Sequence, residues 1–403
     1  PELRAWQRAP PLPRSQASSG KGSMSVTAIS FPKRGAEDFI RDVKAGVTGY
    51  FAVSGRSTKA DWSMWVKTVV LIALVLGPYA AILSNRFGPL AMLGLAFVMG
   101  IGMAGVGFGI SHDALHGAYS SNPTVNRLLG LSFDLLGANS YMWKLTHNVI
   151  HHTYTNIDGV DEDLDFAPFL RLSPHTRHHW HHRFQHFYAF ATYSIAVLFW
   201  VFVKDYRYFL KRDLGPYKNK RHPPAEVALL IVTKLLYYSW MIVIPLLVLH
   251  LTWWQFAIGF LAVQLTAGLI LGVVFQLAHV VEGTDYPLPD AAGAMEHTWL
   301  LHEMMTTSNF APGNRLVGWY VAGLNYQIEH HLFPKICSVH YPAISTIVRR
   351  TAEAHGVPYN QHATLRGAIR SHYRMLKRLG RDPRMAKSAA TSTISNPWEH
   401  RTA

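Results

Sequence analysis

The sequence predicts an all-α integral membrane protein, with four transmembrane helices in two hairpins and a cytosolic helical cap that carries clustered histidines. Three observations lead there. Of 403 residues, 49% are hydrophobic and only 15% charged, where about 25% charged is usual for soluble domains. Four apolar runs approach or exceed the ~20 residues that a helix needs to cross a bilayer. Three histidine clusters lie just beyond apolar or amphipathic stretches, where packing alone would not place them: His112-Asp113-Ala114-Leu115-His116, His147-Asn148-Val149-Ile150-His151-His152 and Gln327-Ile328-Glu329-His330-His331.

The composition narrows the partners. Net charge is +14 with histidine neutral, which suits an anionic membrane surface, an acidic redox partner or an anionic head group. No nucleic-acid recognition signature is present, so nucleic acid is not an expected partner. Cys337 is the sole cysteine among 23 histidines. An intrachain disulfide and a cysteine-ligated cluster are therefore excluded, and any metal would be held by imidazole.

In chain order, residues 1–23 are rich in Pro, Ser, Arg and Gly and precede Met24; they read as a leader or remnant outside the fold. Residues 24–63 read as a cytosolic segment, with no apolar stretch of the kind a secretion signal needs. Lys33, Arg34, Arg41, Lys44, Arg56, Lys59 and Lys67 flank the first apolar run, and the positive-inside rule places them in the cytosol. Trp65 to Leu83 and Pro89 to Ile110 form the first hairpin, separated only by Ser84 to Gly88. The second run carries Gly94, Gly100, Gly102, Gly105, Gly107 and Gly109, chiefly for close helix packing. It delivers the first histidine cluster to the cytosolic face.

Residues 123–143 read as an interfacial helix, and the second cluster follows. Of the carboxylates after it, Asp158 to Asp165, one could orient a ligating imidazole. The run 187–203 could just span. If it did, the third cluster would emerge on the opposite face from the first two, so it is expected to be interfacial or re-entrant. Lys204, Arg207, Lys211, Arg212, Lys218, Lys220 and Arg221 then mark the next segment cytosolic. Residues 226–250 and 255–281 form the second hairpin, turning at Trp253 and Trp254. The membrane domain is set at 64–350, with 351–403 a basic cytosolic tail. The tract from His175 to His186 reads as juxtamembrane surface.

On a helix each cluster faces one way. Imidazoles suit iron, zinc, copper or nickel rather than magnesium or calcium. Seven histidines, His112, His116, His147, His151, His152, His330 and His331, exceed the four ligands of one tetrahedral zinc, so two metals is the economical reading. His279, at the cytosolic end of the last long helix, is a further candidate.

The H-x3-H, H-x3-HH and Q-x-x-HH clusters, in this order between paired spans, resemble the membrane fatty acid desaturases over roughly residues 60–350. Gln327 in place of a histidine resembles the front-end, linoleoyl-CoA desaturase-like members. The resemblance implies two iron ions and dioxygen as co-substrate. It implies an oxidoreductase that takes two electrons to introduce a double bond into a lipid acyl chain. Carried over by position, His112, His116, His147, His151, His152, His279, His330 and His331 would be ligands. Gln327 would bind weakly or through water. The cytochrome b5 motif fused to many front-end members is not in this sequence, so the donor is expected to be a separate ferredoxin or cytochrome b5 type protein. The acyl group could be linked to coenzyme A, a carrier protein or a phospholipid. A bacterial plasma membrane is expected, with the active site and both termini cytosolic. Two alternatives stay open: a related di-iron hydroxylase, ketolase or epoxidase, and a histidine-rich metal transporter. The transporter would need ionisable residues within its spans, which here offer little besides Lys234.

Overall fold

The computed structural model describes residues 29–166, 168–215 and 221–382. The expected leader 1–23 and the end of the tail beyond 382 lie outside these residues. The described chain is helical apart from two two-residue strands, β1 (Asn309–Phe310) and β2 (Gln361–His362), paired in parallel with Asn309 opposite Gln361.

Helix α1 (Glu37–Ser54) precedes the first hairpin, α2 (Trp62–Leu83) and α3 (Pro89–Leu115). Asp61 caps α2 by accepting from the Ser63 and Met64 amides, satisfying donors that a helix start leaves orphaned. Then come α4 (Pro123–Leu135), α5 (140–154), α6 (Trp180–Leu210), α7 (Pro224–Val248) and α8 (Trp253–His279). The glycines of α3 set its packing. A Cβ at Gly102 would lie 2.7 Å from the Leu74 backbone on α2, and one at Gly100 would lie 2.7 Å from the Val263 carbonyl on α8. Gly94 faces open space and has no such role. The turns of both hairpins meet at one end: Asn85 donates to the Val248 carbonyl at 2.9 Å and accepts from the His250 amide at 2.9 Å. A cavity of about 270 Å³ between Tyr79, Leu93, Met99, Met241 and Phe260 lies at this same end. Phe260 stands nineteen residues before His279, roughly 28 Å of helix rise.

Among the described residues five helices, α2, α3, α6, α7 and α8, are long and apolar enough to cross a membrane; the sequence predicts four crossing, with 187–203 interfacial or re-entrant. The apolar stretch 187–203 is the middle of a 31-residue helix. Its polar ends stay helical because the 161–171 loop pairs with them. Lys211 and Tyr208 reach Glu162 at 3.3 and 3.0 Å, and Lys204 reaches Asp163 at 3.3 Å. Further along, Phe166 packs on Tyr193, Tyr188 donates to the Phe169 carbonyl, and Gln185 bonds Arg171 through both backbone groups. The loop thus runs antiparallel to α6 over most of its length. Phe187, Ile195 and Phe199 of α6 are exposed.

The chain after α8 forms the cap: α9 (Trp299–Thr306), α10 (Arg315–Tyr320), α11 (Gln327–Leu332), α12 (Tyr341–His355) and α13 (Leu365–Arg381). Phe39, Val43 and Val47 of α1 share a core with Ile344 and Val348 of α12. Packing continues well past residue 350: α12 crosses it, β2 pairs with β1, and α13 buries Ala368, His372, Leu376 and Leu379. The 351–382 segment is amphipathic rather than uniformly basic, and that is why it packs. The tract from His175 to His186 is likewise structural. His178 bonds the Gly380 carbonyl, His181 and His182 both bond the Pro168 carbonyl, and His182 is fully buried.

Candidate metal centre

Two of the clusters sit on widened helix. The last turns of α3 at Gly107–His112 and of α5 at Lys144–His151 are wound as π-helix, a winding that recurs at functional sites. In α5 the rings of His147 and His151 stack with centroids 5.0 Å apart, yet the two side chains enter different groups.

The ring nitrogens of His112, His116, His147 and His330 lie within 4.8 Å of one another, as do those of His151, His279 and His331. A third set, His152, His330 and His331, overlaps both and places His152 between them. The Nε2 atoms of His116, His147, His151, His152, His279, His330 and His331 are buried without a hydrogen-bond partner. Buried polar atoms are normally paired, so seven orphaned nitrogens gathered in adjoining groups have the character of an imidazole metal site. That donor set fits iron.

The outer nitrogens are held. His147 Nδ1 is 3.0 Å from Asp163, His151 Nδ1 is 2.9 Å from Asp161, and His331 Nδ1 is 2.7 Å from Glu303. His330 Nδ1 meets the Tyr341 hydroxyl at 3.3 Å, and His279 Nδ1 faces the Thr306 carbonyl at 3.4 Å. A carboxylate or carbonyl accepting from Nδ1–H leaves Nε2 as the lone-pair nitrogen. Burial holds the His116, His152, His330 and His331 imidazoles well below their usual range and takes His147 to about 3. They are therefore neutral at pH 7. Burial would also depress His151, but the Asp161 carboxylate outweighs it and raises the group. Burial opposes charge on Asp163, yet Lys204 and His147 hold its carboxyl far below the ordinary range. Trp143 stacks on His147 at 4.3 Å, and Phe275 packs against His151 and His279, each at 5.1 Å.

Every histidine singled out from the sequence enters these groups. Gln327 is buried on the same short helix, and its amide nitrogen donates to the Leu324 carbonyl at 2.7 Å. Among the acidic residues after the second cluster, Asp161 and Asp163 reach imidazoles. Glu329, between two cluster histidines, instead bonds Asn309 and Tyr359, and burial raises it to about 7.

Sequence reasoning missed Glu303, Asn156 and Asp113. Glu303 is one turn from Trp299, whose indole donates to the His152 carbonyl. Asn156 donates to the carbonyls of His279, Asp285 and Thr306, and its amide donates to Asp161. Asp113 accepts from Cys337 and Ser338 and ties the first cluster to the segment after the third. An acidic side chain within an apolar helix, as in Leu300-Leu301-His302-Glu303-Met304, was the available signal for the first of these.

The family model described as fatty acid desaturase matches residues 87–363. The sn-1 linoleoyl-lipid 6-desaturase of Synechocystis sp. is 36% identical over 354 residues, which cover 87% of this chain and 96% of that protein. The protein of the same name from Arthrospira platensis is 36% identical over 349 residues, covering 86% and 93%. An acyl-lipid (8-3)-desaturase of Physcomitrium patens is 34% identical over 369 residues, covering 90% and 76%. With a family match across most of its length and the histidines so gathered, the chain belongs to the fatty acid desaturase family, and it is an oxidoreductase that desaturates lipid acyl chains.

Proposed function

We propose that the site holds two iron ions and, with dioxygen and two electrons from a separate protein, introduces a double bond into an acyl chain carried on a membrane lipid. The observation that carries this reading is the convergence of seven unpartnered Nε2 atoms in two groups joined by a third that overlaps both, with most of their outer nitrogens clamped. His112, His116, His147 and His330 would hold one ion and His151, His279 and His331 the other, with His152 between them. Gln327 would offer its amide oxygen, directly or through water. Bound iron would supply the dioxygen chemistry that removes two hydrogens from adjacent methylenes. Asp161, Asp163 and Glu303 keep Nδ1–H pinned, so the rings present lone pairs in fixed orientation. Trp143 and Phe275 wall the rings, and the burial of every ligand side chain keeps bulk water off the reacting bond.

The relatives' names support a lipid-linked substrate and a position close to the carboxyl end. The topology we favour has α2, α3, α7 and α8 crossing and α6 lying along the membrane face. The pairing of α6 with the charged 161–171 loop supports it, as do the apolar side chains of Phe187, Ile195 and Phe199 that α6 leaves exposed. The histidine end would face the cytosol of a bacterium, in keeping with the basic segments and the cyanobacterial relatives.

The test is expression in a host lacking the activity, beside His151→Ala, with mass spectrometry of intact lipids. A product lighter by two hydrogens, absent with the variant, is expected. A product heavier by one oxygen would overturn desaturation in favour of hydroxylation.

A further inference from the structure

We propose that the arginine face of α13 is the docking surface for an acidic one-electron carrier protein, and that electrons pass from it through His372 and Val280 to His279. The proposal rests on the reading of the site as an electron-consuming metal centre.

Helix α13 carries Arg366, Arg370, Arg374, Lys377, Arg378 and Arg381 and no carboxylate of its own, Asp382 following its last residue. Arg366, Arg370, Arg374 and Arg378 recur every four residues and are all exposed. They line one side of the helix over roughly 20 Å. Like charges at this spacing cost helix stability, so local folding does not account for the stripe. Glu282 balances Arg374 at 3.5 Å. Arg374, Lys377, Arg378 and Arg381 also rim a shallow depression.

The other side of α13 is fixed to the chain just beyond the last candidate ligand. His372 Nδ1 bonds the Val280 carbonyl at 2.7 Å, and the Glu282 amide donates to Ser371 at 2.8 Å. Val280 is the residue after His279. At the far end of α13, buried Arg171 donates to the Leu379 and Asp382 carbonyls at 2.6 and 2.8 Å. The stripe is therefore presented rigidly, one helix diameter of about 10–12 Å from a hydrogen-bonded route to His279.

Charge complementarity selects the partner. An amphipathic helix that lies on a bilayer needs a free apolar face, and α13 buries Ala368, Met375, Leu376 and Leu379 against its own protein. What it leaves outward is cationic, which suits an acidic protein surface and electrostatic steering. Each docking event delivers one electron and oxidises one carrier. A turnover takes two such electrons, two protons, two substrate hydrogens and one dioxygen, and gives two waters.

The test compares full-length, iron-loaded wild type with the Arg370→Glu/Arg378→Glu pair, using a plant-type ferredoxin and a soluble cytochrome b5 haem domain as probes. Carrier binding is titrated directly, and turnover is driven by each carrier or by dithionite. At about 10 mM ionic strength, where screening is weak, the variant should lose about tenfold in affinity and in kcat/KM for the carrier. That gap should close at high salt, the dithionite-driven rate should hold, and an Arg→Lys pair should behave as wild type. Unchanged carrier kinetics would overturn the proposal. So would equal loss with dithionite, or loss of binding to phosphatidylglycerol vesicles without loss of carrier binding. Salt-dependent ferredoxin binding to a wild type that makes no unsaturated lipid would support the surface while sinking the desaturase reading.

Discussion

Replacing Glu303 by glutamine should weaken the metal centre without touching a ligand. Glu303 is fully buried, and its Oε2 accepts from His331 Nδ1 at 2.7 Å and from the Thr155 hydroxyl at 2.9 Å. Burial pushes its carboxyl well above the ordinary range, and bound cations would restore the ionised form. Glutamine keeps the volume and an accepting oxygen but loses the charge. Partners of this kind are worth 10- to 100-fold in metal affinity. We expect about tenfold weaker iron binding for Glu303→Gln, or ~1.4 kcal/mol. Glu303→Ala also frees His331 to carry its proton on Nε2, and should cost up to about a hundredfold, or ~2.8 kcal/mol. The assay is chelator competition at fixed pH, with iron per chain counted by mass spectrometry. The iron-free protein should respond oppositely: a buried carboxylate opposes folding, so Glu303→Gln should melt no lower than wild type. Wild-type iron affinity in Glu303→Ala would refute the reasoning.

Three further outcomes are expected. His279→Ala should halve iron per chain, because it opens only the group shared with His151 and His331; near-complete loss would mean that the two groups load as one. Lys234 is buried against Asp205 at 2.8 Å and donates to the Gly137 and Val201 carbonyls, so Lys234→Ala should cost about 3–5 kcal/mol. It should lower the melting temperature, and a Lys234→Met/Asp205→Asn pair should recover most of the loss. Acidification should destabilise the iron-free protein. Burial takes His302 and His372 to about 4, below the ~6.5 of an unfolded histidine, so their contribution is present above pH ~6.5 and is lost as pH falls toward 4. That is about 3 kcal/mol each. Glu329, raised to about 7, pulls the other way with similar size, and the depressed cluster histidines tip the balance. A melting temperature that is flat from pH 7 to 4.5 would contradict this.

The candidate site was more legible than the fold around it. Spacing picked out the seven clustered histidines because ligand type and helical register are local properties, whereas His279 stood out only by its place at a helix end and by the resemblance. The carboxylate clamps were half visible: Asp161 and Asp163 lie close after the second cluster, whereas Glu303 reaches His331 from another helix. The 187–203 stretch was read as short because hydropathy stops at Lys204. The helix continues because Asp163 and Glu162 neutralise Lys204 and Lys211, which no local pattern reveals. Residues 351–382 read as tail because their arginines dominate the composition, although Ala368, His372, Leu376 and Leu379 form a buried face.

The sequence by itself determined the membrane character, the long apolar segments and the imidazole donor set, since transfer free energy and ligand chemistry belong to individual side chains and short windows. Only the tertiary structure decided how the histidines divide. His147 and His151 stack on one helix yet enter different groups, because His112, His116 and His330 meet the first and His279 and His331 the second, and His330 joins His112 across more than two hundred residues. It also decided which carboxylates pin the rings and which helix lies against His279. Those depend on close approach between distant segments, set by packing and buried hydrogen bonds that no single stretch of chain contains.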